Sequence, residues 1–256
     1  MGSHCNENAV LFLSSMLVLL GLFVCMRQRK QVLFYGRYRL ESSSDTWVQV
    51  PAKVAWIIQE LPSFAVPALL IYQSGSLDTL GSKLLLFLFC GHYFHRTWIY
   101  GYFTRGGSVQ ISFVLRSFLF CTWNGYLQGH NLIYCTNYDD SWTTDFRFLF
   151  GILLFLMGMA ANIHSDNLLR KLREPGDLSY KIPRGGLFEY ISAANYFGEI
   201  VEWFGYSLAT WTYPAFAFAL FTALNLGSRA VHHHRFYQQK FQEYPKSRKA
   251  LIPLLF

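Results

Sequence analysis

The stretch Asn195-Tyr-Phe-Gly-Glu199-Ile-Val-Glu202-Trp-Phe-Gly-Tyr206 places two carboxylates in the middle of a long apolar segment. Its four numbered residues follow one another at intervals of three or four, so they share one face of a helix. Residues 187–211 contain no lysine or arginine that could neutralise the two acids. An ionisable group costs about 3 kcal/mol in a bilayer-length segment and therefore usually lines a functional cavity. The pattern predicts a membrane enzyme or transporter whose chemistry takes place within the membrane.

The composition extends this membrane signal to the whole chain. Of the 256 residues, 52% are hydrophobic and 18% are aromatic, while only 14% are charged. Soluble domains carry about 25% charged residues, so much of a solvated surface is missing. Apolar segments of about 20 residues, the length that crosses a bilayer, recur along the chain and leave no room for a separate soluble domain. The predicted spans are 9–26, 54–73, 84–103, 111–134, 146–164, 190–211 and 213–228.

These spans predict an all-α membrane protein, a bundle of about seven transmembrane helices in a single domain that covers residues 1–256. Six or eight helices also fit the pattern, because the second and fifth spans are marginal. Tyr213-Pro214 is expected to separate the last two spans, since proline interrupts a helix. The first span lacks a basic N-terminal region and is followed at once by basic residues, which indicates a retained anchor rather than a cleaved signal peptide.

The basic residues fall on alternate loops of this arrangement, and the opposite loops contain Asp139, Asp140 and Asp145 instead. Positively charged loops face the cytosol, so we expect a lumenal N-terminus and a cytosolic C-terminus. Topology then explains much of the net charge of +7, a cytosolic phosphate-bearing ligand can explain more, and no nucleic-acid partner is required. The basic residues of these loops and of the tail are Arg27, Arg29, Lys30, Arg37, Arg39, Arg105, Arg170, Lys171, Arg173, Lys181, Arg184, Arg229, Arg235, Lys240, Lys246, Arg248 and Lys249.

Neither the cysteines nor the histidines predict a metal site. The cysteines show no paired spacing and most lie in apolar segments, where free buried thiols are favoured over disulfides. The run from His232 to His234 suggests a di-iron centre only if several spaced histidine pairs accompany it, and the chain offers one, His92 and His95. The cysteines are Cys5, Cys25, Cys90, Cys121 and Cys135.

Two further polar patterns indicate a nucleotide site. Asn162, Asp166 and Arg173 are spaced to share one helix face where the fifth span runs into a basic loop, with the arginine suited to phosphate. Arg229 and His233 follow the last span four residues apart and also suit phosphate. The alternative for the first pattern is an ordinary helix end with solvated charges. No glycine-rich dinucleotide fingerprint is present, so side chains must hold any nucleotide.

A carboxylate and a tyrosine in the second and third predicted spans are candidate chemical groups. Glu60 shares a helix face with Trp56, and Tyr93 follows in the next span. Glu60 can form a structural pair with Arg96 or Arg116, or it can serve as an acid that donates, beside a tyrosine hydroxyl, to a carbonyl oxygen. Both uses stay open at this point. The many aromatic side chains can line a cavity for a flat apolar ligand, although core packing is their commoner use.

Several local motifs resemble those of steroid 5α-reductases, over nearly the whole chain after about residue 50. Before that point only Tyr35-Gly36 matches. The motifs are Gln59-Glu60-Leu61-Pro62-Ser63, His92-Tyr93-Phe94-His95-Arg96, Asn124-Gly125 with Leu127-Gln128, Asn162-Ile-His-Ser-Asp166, Tyr180-Lys181-Ile-Pro183, Gly185-Gly186-Leu187-Phe188, Asn195-Tyr-Phe-Gly-Glu199 and the tail from Tyr244 to Phe256.

The resemblance implies a multi-pass enzyme of the endoplasmic reticulum membrane with seven transmembrane helices. Such enzymes use NADPH to reduce the 4,5 double bond of 3-oxo-Δ4 steroids, testosterone and progesterone among them, with hydride to C5 and a proton to C4. Residues 1–50 would then form the first transmembrane helix and a variable loop, and about 105–256 the catalytic and NADPH-binding region. The implied partners are the steroid and the bilayer, and a monomer is assumed.

The resemblance also implies roles for individual residues. Glu60 and Tyr93 would bind the C3 carbonyl oxygen of the steroid. The implied substrate-binding residues are Trp56, Arg116 (near the nicotinamide end), Phe120, Trp203 and Phe221. The implied cofactor-binding residues are Asn162, Asp166, Arg173, Tyr180, Lys181, Asn195, Glu199, Arg229, His233 and Tyr237. Glu202 receives no role, although it lies on the stripe that opens this section.

Some positions depart from the family's pattern. Asn225 stands where a phenylalanine of the pocket wall is expected, which leaves the steroid preference open. Lys181 replaces an arginine and gives up bidentate phosphate contact. Residues 232–237 resemble the second isozyme type and residues 184–190 the first, and the balance favours a type 2-like enzyme.

Two other functions compete with the reductase. A membrane methyltransferase of the isoprenylcysteine type also acts on lipid-soluble substrates, but arginine-rich contacts suit the 2′-phosphate of NADPH, which S-adenosylmethionine lacks. A seven-helix receptor or transporter is the alternative from a different class. The chain has neither an Asp-Arg-Tyr motif at the third span nor an Asn-Pro-x-x-Tyr motif at the seventh.

Overall fold

The computed structural model describes residues 5–30, 48–75, 77–173 and 179–256, except for the side chain of Lys30. Tyr35-Gly36, Arg37 and Arg39, named above, lie outside the described residues. The helices are α1 (Glu7–Lys30), α2 (Ala52–Ser74), α3 (Leu80–Phe94), α4 (Gly101–Phe103), α5 (Ile111–His130), α6 (Phe146–Lys171), α7 (Ala194–Thr210) and α8 (Tyr213–Lys240). The other elements are strands β1 (Gln49–Val50) and β2 (Val109–Gln110), which pair antiparallel, π-helical segments His95–Tyr100 and Asn131–Cys135, and 3₁₀ turns Asp140–Thr144 and Gly186–Glu189.

Each predicted span coincides with a helical segment, so the all-helical prediction is confirmed for the described residues. The third span corresponds to α3, the π-helical segment and α4 in succession, and the fourth to α5 with its π-helical extension. By length and composition, three helices of the described chain can cross a membrane, namely α1, α2 and α6. The second and fifth spans, rated marginal above, are two of these three, and the total number of crossings stays a prediction. Their most apolar windows reach a mean hydropathy of 1.6 in α2 and 1.9 in α6.

The predicted break between the last two spans is confirmed. α7 ends at Thr210, Trp211 takes a left-handed conformation with φ of 51°, and Pro214 lies in the first turn of α8. Proline is tolerated there because N–H groups of the first turn have no helical partner in any case. α8 then continues to Lys240, so Arg229 and its neighbours lie on a continuous helix beyond the predicted end at residue 228.

The described chain divides into two compact units. The first unit comprises residues 5–14 and 48–148, and thus contains α2 to α5 and both strands. The second unit comprises residues 15–30 and 149–256, and contains most of α1 and α6 together with α7 and α8. Glu60 and Tyr93 therefore belong to the first unit, and every residue implied in cofactor binding belongs to the second.

Close approach of α2 and α5 organises the first unit. A Cβ atom added at Gly125 of α5 would lie 2.9 Å from both the carbonyl oxygen of Pro62 and the Cα of Ser63, so glycine is required at this contact. Ser63 Oγ donates a hydrogen bond across the contact to the carbonyl oxygen of Cys121 at 3.0 Å. The backbones of the two helices therefore nearly touch at this point.

A second close contact, between α6 and α7, organises the second unit. A Cβ atom added at Gly198 of α7 would lie 2.5 Å from the backbone nitrogen of Asn162 on α6. Small residues let helix backbones approach in this way, which is common in membrane proteins. The contact places Asn162 directly beside the first turns of α7, where Asn195 and Glu199 lie.

The prediction of free cysteines was wrong for one pair. Cys5 and Cys135 form a disulfide, whereas Cys25, Cys90 and Cys121 are free as expected. Cys5 precedes α1 and Cys135 ends the π-helical extension of α5, so the pair spans 130 residues of sequence. Local spacing carries no information about a pair that distant, because only the tertiary packing brings the two ends together.

Candidate functional site

Glu60 lies where α2 faces α5. Its side chain is half-buried, and Gln59 Nε2 donates to Oε1 at 3.3 Å. The thiol of the buried Cys121 on α5 lies 3.9 Å from Oε2 and donates a weak hydrogen bond to it. One carboxyl oxygen of Glu60 is therefore bound from its own helix and the other from α5.

Tyr93 lies on α3 and also forms a hydrogen bond with α5. The side chain is buried, and its hydroxyl oxygen lies 3.2 Å from Asn124 Nδ2, which donates to it. Asn124 Oδ1 in turn lies 3.3 Å from Gln128 Nε2, which donates to it. From the sequence, no role is predicted for Asn124 and Gln128, although both belong to motifs given above. Their spacing of four residues could have indicated that they share a helix face.

Glu60 and Tyr93 thus reach the same turn of α5 from two different helices. Their contacts, Cys121 and Asn124, are three residues apart on that helix, and residues at this spacing are neighbours on one face. A carboxyl group and a phenol brought to one turn can offer two hydrogen-bond donors to a single oxygen atom. The structure therefore groups the two residues that the sequence predicts to be catalytic.

The other residues predicted near the substrate in the first unit have different surroundings. The Arg96 guanidinium lies over the rings of Trp56, at 4.9 Å, and of Tyr100, at 4.4 Å, in cation–π contacts. Arg116 is exposed, and its Nε donates to the carbonyl oxygen of Ser112 at 3.1 Å. The recorded hydrogen bond of Arg116 thus stays within α5 and does not go to Glu60. Phe120 lies one turn further along α5 and is half-buried.

In the second unit, four of the predicted cofactor residues form one hydrogen-bonded group across α6 and α7. Asn162 Nδ2 donates to the backbone oxygen of Asn195 at 2.9 Å and lies 3.4 Å from Glu199 Oε2. Asn195 Nδ2 donates to Asp166 Oδ1 at 3.0 Å. Asn162 and Asp166 are buried, so these polar groups stand in a protected setting where unmet hydrogen bonds are costly.

Arg229 and His233 of α8 both contact Tyr196, a residue that sequence reasoning quoted but gave no role. His233 Nε2 and the Tyr196 hydroxyl are 3.1 Å apart, and the Arg229 guanidinium lies 5.7 Å from the centre of the Tyr196 ring. Tyr196 directly follows Asn195 on α7. An arginine and a histidine therefore flank an aromatic ring next to the hydrogen-bonded group of α6 and α7.

Arg173 does not lie on the helix face that the sequence predicts for it. α6 ends at Lys171, so Arg173 does not lie on the helix face of Asn162, and the predicted shared face was wrong for this residue. Pro175-Gly176 in the sequence is a helix-ending signal that could have shown this. The Arg173 guanidinium lies 5.9 Å from the Tyr180 ring instead, and Lys240 Nζ lies 5.3 Å from the same ring. Lys181, the next residue, is exposed.

Three further predicted residues are packed among aromatic side chains. Tyr237 is buried, and its ring is stacked against that of Tyr244 with centroids 5.4 Å apart. Trp203 is 1% exposed and makes an edge contact with Phe218 at 4.6 Å. Phe221 is buried one turn further along α8. Tyr237 and Trp203 thus contact other aromatic rings, and the part of these three side chains in steroid or cofactor binding stays a prediction.

The three consecutive histidines have three separate partners. His232 Nε2 lies 2.6 Å from the carbonyl oxygen of Gln28, and His234 Nδ1 lies 2.6 Å from Ser192 Oγ. His233 faces Tyr196, as described above. Burial, reinforced by Lys249, holds the pKa of His234 below its usual value. In the part of the chain that the structure describes, no group of three or more histidine, cysteine or acidic side chains is arranged to hold a metal ion.

A buried arginine that the sequence did not single out anchors the loop after Lys181. Arg248 is 1% exposed, and its Nη1 donates to the carbonyl oxygen of Pro183 at 2.9 Å. Its Nη2 lies 3.5 Å from Glu189 Oε2, and Glu189 Oε1 accepts from the backbone nitrogen of Gly185 at 2.6 Å. The Gly185 N–H, with Arg248 and Arg184, holds the pKa of Glu189 below its usual value. The C-terminal tail therefore ties down the loop that carries two predicted cofactor residues.

Comparison with known proteins places the chain in a family. Residues 107–256 match the family model described as 3-oxo-5-alpha-steroid 4-dehydrogenase. The chain is 52% identical to the 3-oxo-5-alpha-steroid 4-dehydrogenase 2 of Homo sapiens and 51% identical to that of Sus scrofa, with 99% of each chain covered. It is 51% identical to the 3-oxo-5-alpha-steroid 4-dehydrogenase 1 of Homo sapiens, over 92% of this chain and 91% of the relative. The chain therefore belongs to the 3-oxo-5-alpha-steroid 4-dehydrogenase family and is an enzyme of the oxidoreductase class.

Proposed function

We propose that this enzyme reduces the 4,5 double bond of 3-oxo-Δ4 steroids with NADPH, and that testosterone and progesterone are substrates. One observation carries the proposal: the Glu60 carboxyl and the Tyr93 hydroxyl reach the same turn of α5 from two helices. Two donors at one point suit the oxygen of a conjugated ketone. The relatives that are about half identical are named for acting on a 3-oxo steroid at this position.

The proposed mechanism depends on charge that develops at the C3 oxygen. As C5 accepts a hydride, negative charge moves to that oxygen, so donors placed there stabilise the transition state more than the ground state. Tyr93 donates through its O–H, and Glu60 donates in its protonated form. When bound, NADPH supplies the hydride, which C5 takes on the α face. C4 of the resulting enolate then takes one proton from water and the C3 carbonyl re-forms, while Tyr93 and Glu60 keep their protons, so one hydride and one proton have been added across the double bond.

The second unit offers the groups that NADPH requires. The Asn162, Asp166, Asn195 and Glu199 group supplies amide and carboxylate partners for ribose hydroxyls or for the nicotinamide amide. Cationic side chains near Tyr180 and Tyr196 suit phosphates, because charge-assisted hydrogen bonds to phosphate are the strong ones. We assign the cofactor contacts to Asn162, Asp166, Arg173, Tyr180, Lys181, Asn195, Glu199, Arg229, His233 and Tyr237, all within the C-terminal region 105–256.

We assign the apolar body of the steroid to aromatic side chains. Trp56 and Phe120 serve in the first unit, and Trp203 and Phe221 in the second, with Arg116 near the nicotinamide end. Trp203 and Phe221 are buried among other apolar groups, which supports a role as walls. Aromatic walls bind a flat, rigid ligand without directional hydrogen bonds, so they add affinity while Glu60 and Tyr93 supply the orientation.

We also propose a multi-pass protein of the endoplasmic reticulum membrane, with seven crossings, a lumenal N-terminus and a cytosolic C-terminus. The Cys5–Cys135 disulfide supports this orientation, because disulfides persist in the oxidising lumen and both cysteines fall on the predicted lumenal side. In intact microsomes treated with a membrane-impermeant reductant and thiol reagent, we expect labelling of neither cysteine until the membrane is permeabilised. Labelling of either in sealed vesicles would contradict the orientation.

The test of the reaction is steroid-dependent oxidation of NADPH. Membranes that contain the enzyme are supplied in parallel with testosterone, progesterone and 5α-dihydrotestosterone, and the products are identified. We expect NADPH consumption and 5α-reduced products with the first two steroids and none with the third, because its 4,5 bond is already saturated. Equal consumption with all three would refute the proposal. Methyl transfer from S-adenosylmethionine without any reduction would instead support the methyltransferase alternative.

A further inference from the structure

We infer that Asn124 is a positioning residue for the reduction, supported from behind by Gln128. Asn124 occupies an acceptor position of the Tyr93 hydroxyl and thereby directs the proton of that hydroxyl to the steroid ketone. The inference deepens the proposed function and rests on it, because it takes Tyr93 to be the donor to the C3 oxygen. Nothing in the family comparison or in the motif spacing assigns this role.

The three side chains form a linear chain of hydrogen bonds in the interior of the first unit. Tyr93 is 4% exposed, and Asn124 and Gln128 are each 1% exposed. The distances are 3.2 Å from Asn124 Nδ2 to the Tyr93 hydroxyl oxygen and 3.3 Å from Gln128 Nε2 to Asn124 Oδ1. Two amides kept in the interior of an apolar bundle carry a desolvation cost, which their hydrogen bonds offset as long as the three side chains keep this arrangement.

The direction of each hydrogen bond determines where the Tyr93 proton points. A phenol has one proton and two acceptor positions, whereas an amide nitrogen can only donate. With Asn124 Nδ2 against the phenol oxygen, the O–H must point away from Asn124 and toward a different acceptor. An oxygen that accepts one hydrogen bond is also polarised into a better donor of the next. Asn124 therefore both directs and strengthens the donation from Tyr93.

Gln128 determines which way round the Asn124 amide sits. Its Nε2 donates to Asn124 Oδ1, which leaves the Asn124 nitrogen for Tyr93. If the Asn124 amide turned over, its nitrogen would face the Gln128 nitrogen and two donors would oppose each other. Asn124 Oδ1 would then accept the Tyr93 proton, and the ketone would lose that donor. In its present orientation, Gln128 thus disfavours the unproductive orientation of Asn124.

Helix packing holds this amide chain in place. Gly125, the residue after Asn124, lies against Pro62 and Ser63 of α2 with no room for a side chain. Gly129, the residue after Gln128, is similarly close to Pro67, since a Cβ atom there would lie 3.1 Å from the Pro67 Cα. Asn124 and Gln128 therefore each lie next to a glycine at which α5 packs tightly against α2. Displacement of α5 would break these contacts, so the amides keep their position relative to α2.

The test compares substitutions that remove one donor at a time. Asn124→Leu keeps the volume but removes the donor, so we expect kcat to fall about 10-fold to 100-fold, while the Kd of NADPH stays within about 2-fold. We expect Gln128→Leu to lower kcat about 3-fold to 10-fold, because Asn124 remains but can turn over. Asn124→Gln, which keeps an amide, should recover part of the loss. Thr122→Val is the matched control on α5, since the Thr122 hydroxyl bonds only to its own helix at Phe118 and its loss should leave kcat unchanged.

A double-substitution cycle separates orientation from a merely structural role. If Asn124 acts through the Tyr93 hydroxyl, Asn124→Leu lowers kcat no further in an enzyme that already carries Tyr93→Phe. If the losses in kcat from the two substitutions multiply in the double variant, the inference is overturned while the proposed function stands. Wild-type kcat in Asn124→Leu would have the same consequence. Wild-type kcat in Tyr93→Phe alone would instead overturn the assignment of Tyr93 on which the inference rests. If Asn124→Leu does not fold, Gln128→Leu leaves Asn124 in place and carries the same cycle.

Discussion

The α2–α5 contact of the first unit and the α6–α7 contact of the second are built in the same way but hold different chemistry. In each, glycines bring two helix backbones together, Gly125 and Gly129 in the first contact and Gly151, Gly158, Gly198 and Gly205 in the second. Near Gly125 stand two amides, a phenol and the Glu60 carboxyl. Beside Gly198 stand carboxylates and amides, with cationic side chains on the neighbouring α8. In both units, close helix packing thus holds polar side chains in a fixed position inside an apolar protein.

The difference in chemistry follows from what each region is proposed to bind. A steroid ketone is neutral, so the first unit needs only donors in one unchanging orientation. A dinucleotide carries phosphates and a ribose, so the second unit needs cations and a set of amide and carboxylate partners. Substitutions in the first unit should therefore change kcat, and substitutions in the second should change the affinity for NADPH.

The largest effects are expected from the two catalytic candidates. Tyr93→Phe removes a hydrogen-bond donor from the C3 oxygen, and Glu60→Gln replaces an acidic O–H with a much weaker amide N–H donor, so we expect kcat to fall about 100-fold to 1,000-fold, comparable to the loss of an oxyanion-hole donor. NADPH affinity, measured by quenching of its fluorescence or by calorimetry, should stay within about 2-fold of wild type. The comparison of the two units fails if either variant loses NADPH affinity to the same extent as kcat.

Matched controls for these two substitutions are available in the same chain. Tyr72→Phe removes a phenol hydroxyl from α2 at a position that is 85% exposed. Glu243→Gln removes an exposed carboxylate beyond the end of α8. Tyr72 lies about three turns from Glu60 along α2, and Glu243 belongs to the second unit, so both variants should retain wild-type kcat. A comparable loss in a control would show that the assay responds to general damage.

The opposite pattern is expected in the second unit. Arg229→Gln removes a cation beside Tyr196, so we expect the Kd of NADPH to rise about 10-fold to 100-fold, the worth of a charge-assisted phosphate contact. At saturating NADPH, kcat should return close to the wild-type value. Arg235→Gln is the matched control, because Arg235 is an exposed arginine on the same helix. Equal rises in Kd for both variants would mean that only general electrostatic attraction had been lost.

Glycine substitutions test the packing device that the two units share. Gly125→Ala forces a methyl group to within 2.9 Å of the α2 backbone, so we expect unfolding to become easier by about 1–3 kcal/mol and kcat to fall as well. Gly91→Ala on α3 is the control, since a Cβ atom there has nothing within 4 Å. It should be neutral or stabilise the helix by up to about 1 kcal/mol. Similar melting temperatures for the two variants would contradict the tight α2–α5 contact.

The sequence predicts the helices of this protein well because their signals are local. Apolar length and helical spacing were enough to place each span, the stripe on α7 and the pair of Arg229 and His233 on α8. The same kind of signal failed where a helix ended early, at Lys171, and left Arg173 off the predicted face. Such helix ends are determined by a capping residue or by a Pro-Gly pair. These signals occupy one or two residues, whereas the helical spacing of apolar residues extends over several turns.

Long-range partners could not be predicted from the sequence in the same way. The Cys5–Cys135 disulfide and the contact of Arg248 with Pro183 join segments far apart in the chain, and neither pair has any characteristic spacing. The hydrogen bond from Asn124 to Tyr93 also depends on how α3 packs against α5. Candidate residues with a chemical motif of their own, such as Glu60, could be singled out from the sequence, whereas those defined only by a neighbour, such as Asn124, could not.

The smallest effect is expected where charge is exposed, at the loop that Arg248 anchors. The folded protein lowers the pKa of Glu189, first through the Gly185 N–H and then through Arg248 and Arg184. A lowered pKa means that the stabilisation is complete above the ordinary glutamate pKa, about 4.3, and is lost as pH falls through the lower value in the folded protein. Because the Glu189 side chain is 43% exposed, solvent screening limits the effect to no more than about 1 kcal/mol.

Glu189→Gln removes the ionised partner of this loop. We expect the variant to melt slightly below wild type at neutral pH, and the difference should shrink as acidification protonates Glu189 in the wild-type protein. Thermal unfolding with and without NADPH, measured from neutral to acidic pH, checks this, and NADPH should protect the variant less because residues 180 and 181 adjoin the loop. Glu243→Gln supplies the baseline for an exposed carboxylate. If the difference in melting temperature between Glu189→Gln and wild type does not change with pH, the Gly185 hydrogen bond, which glutamine can keep in part, matters more than the charge. The two units would then differ less in their electrostatics than argued above.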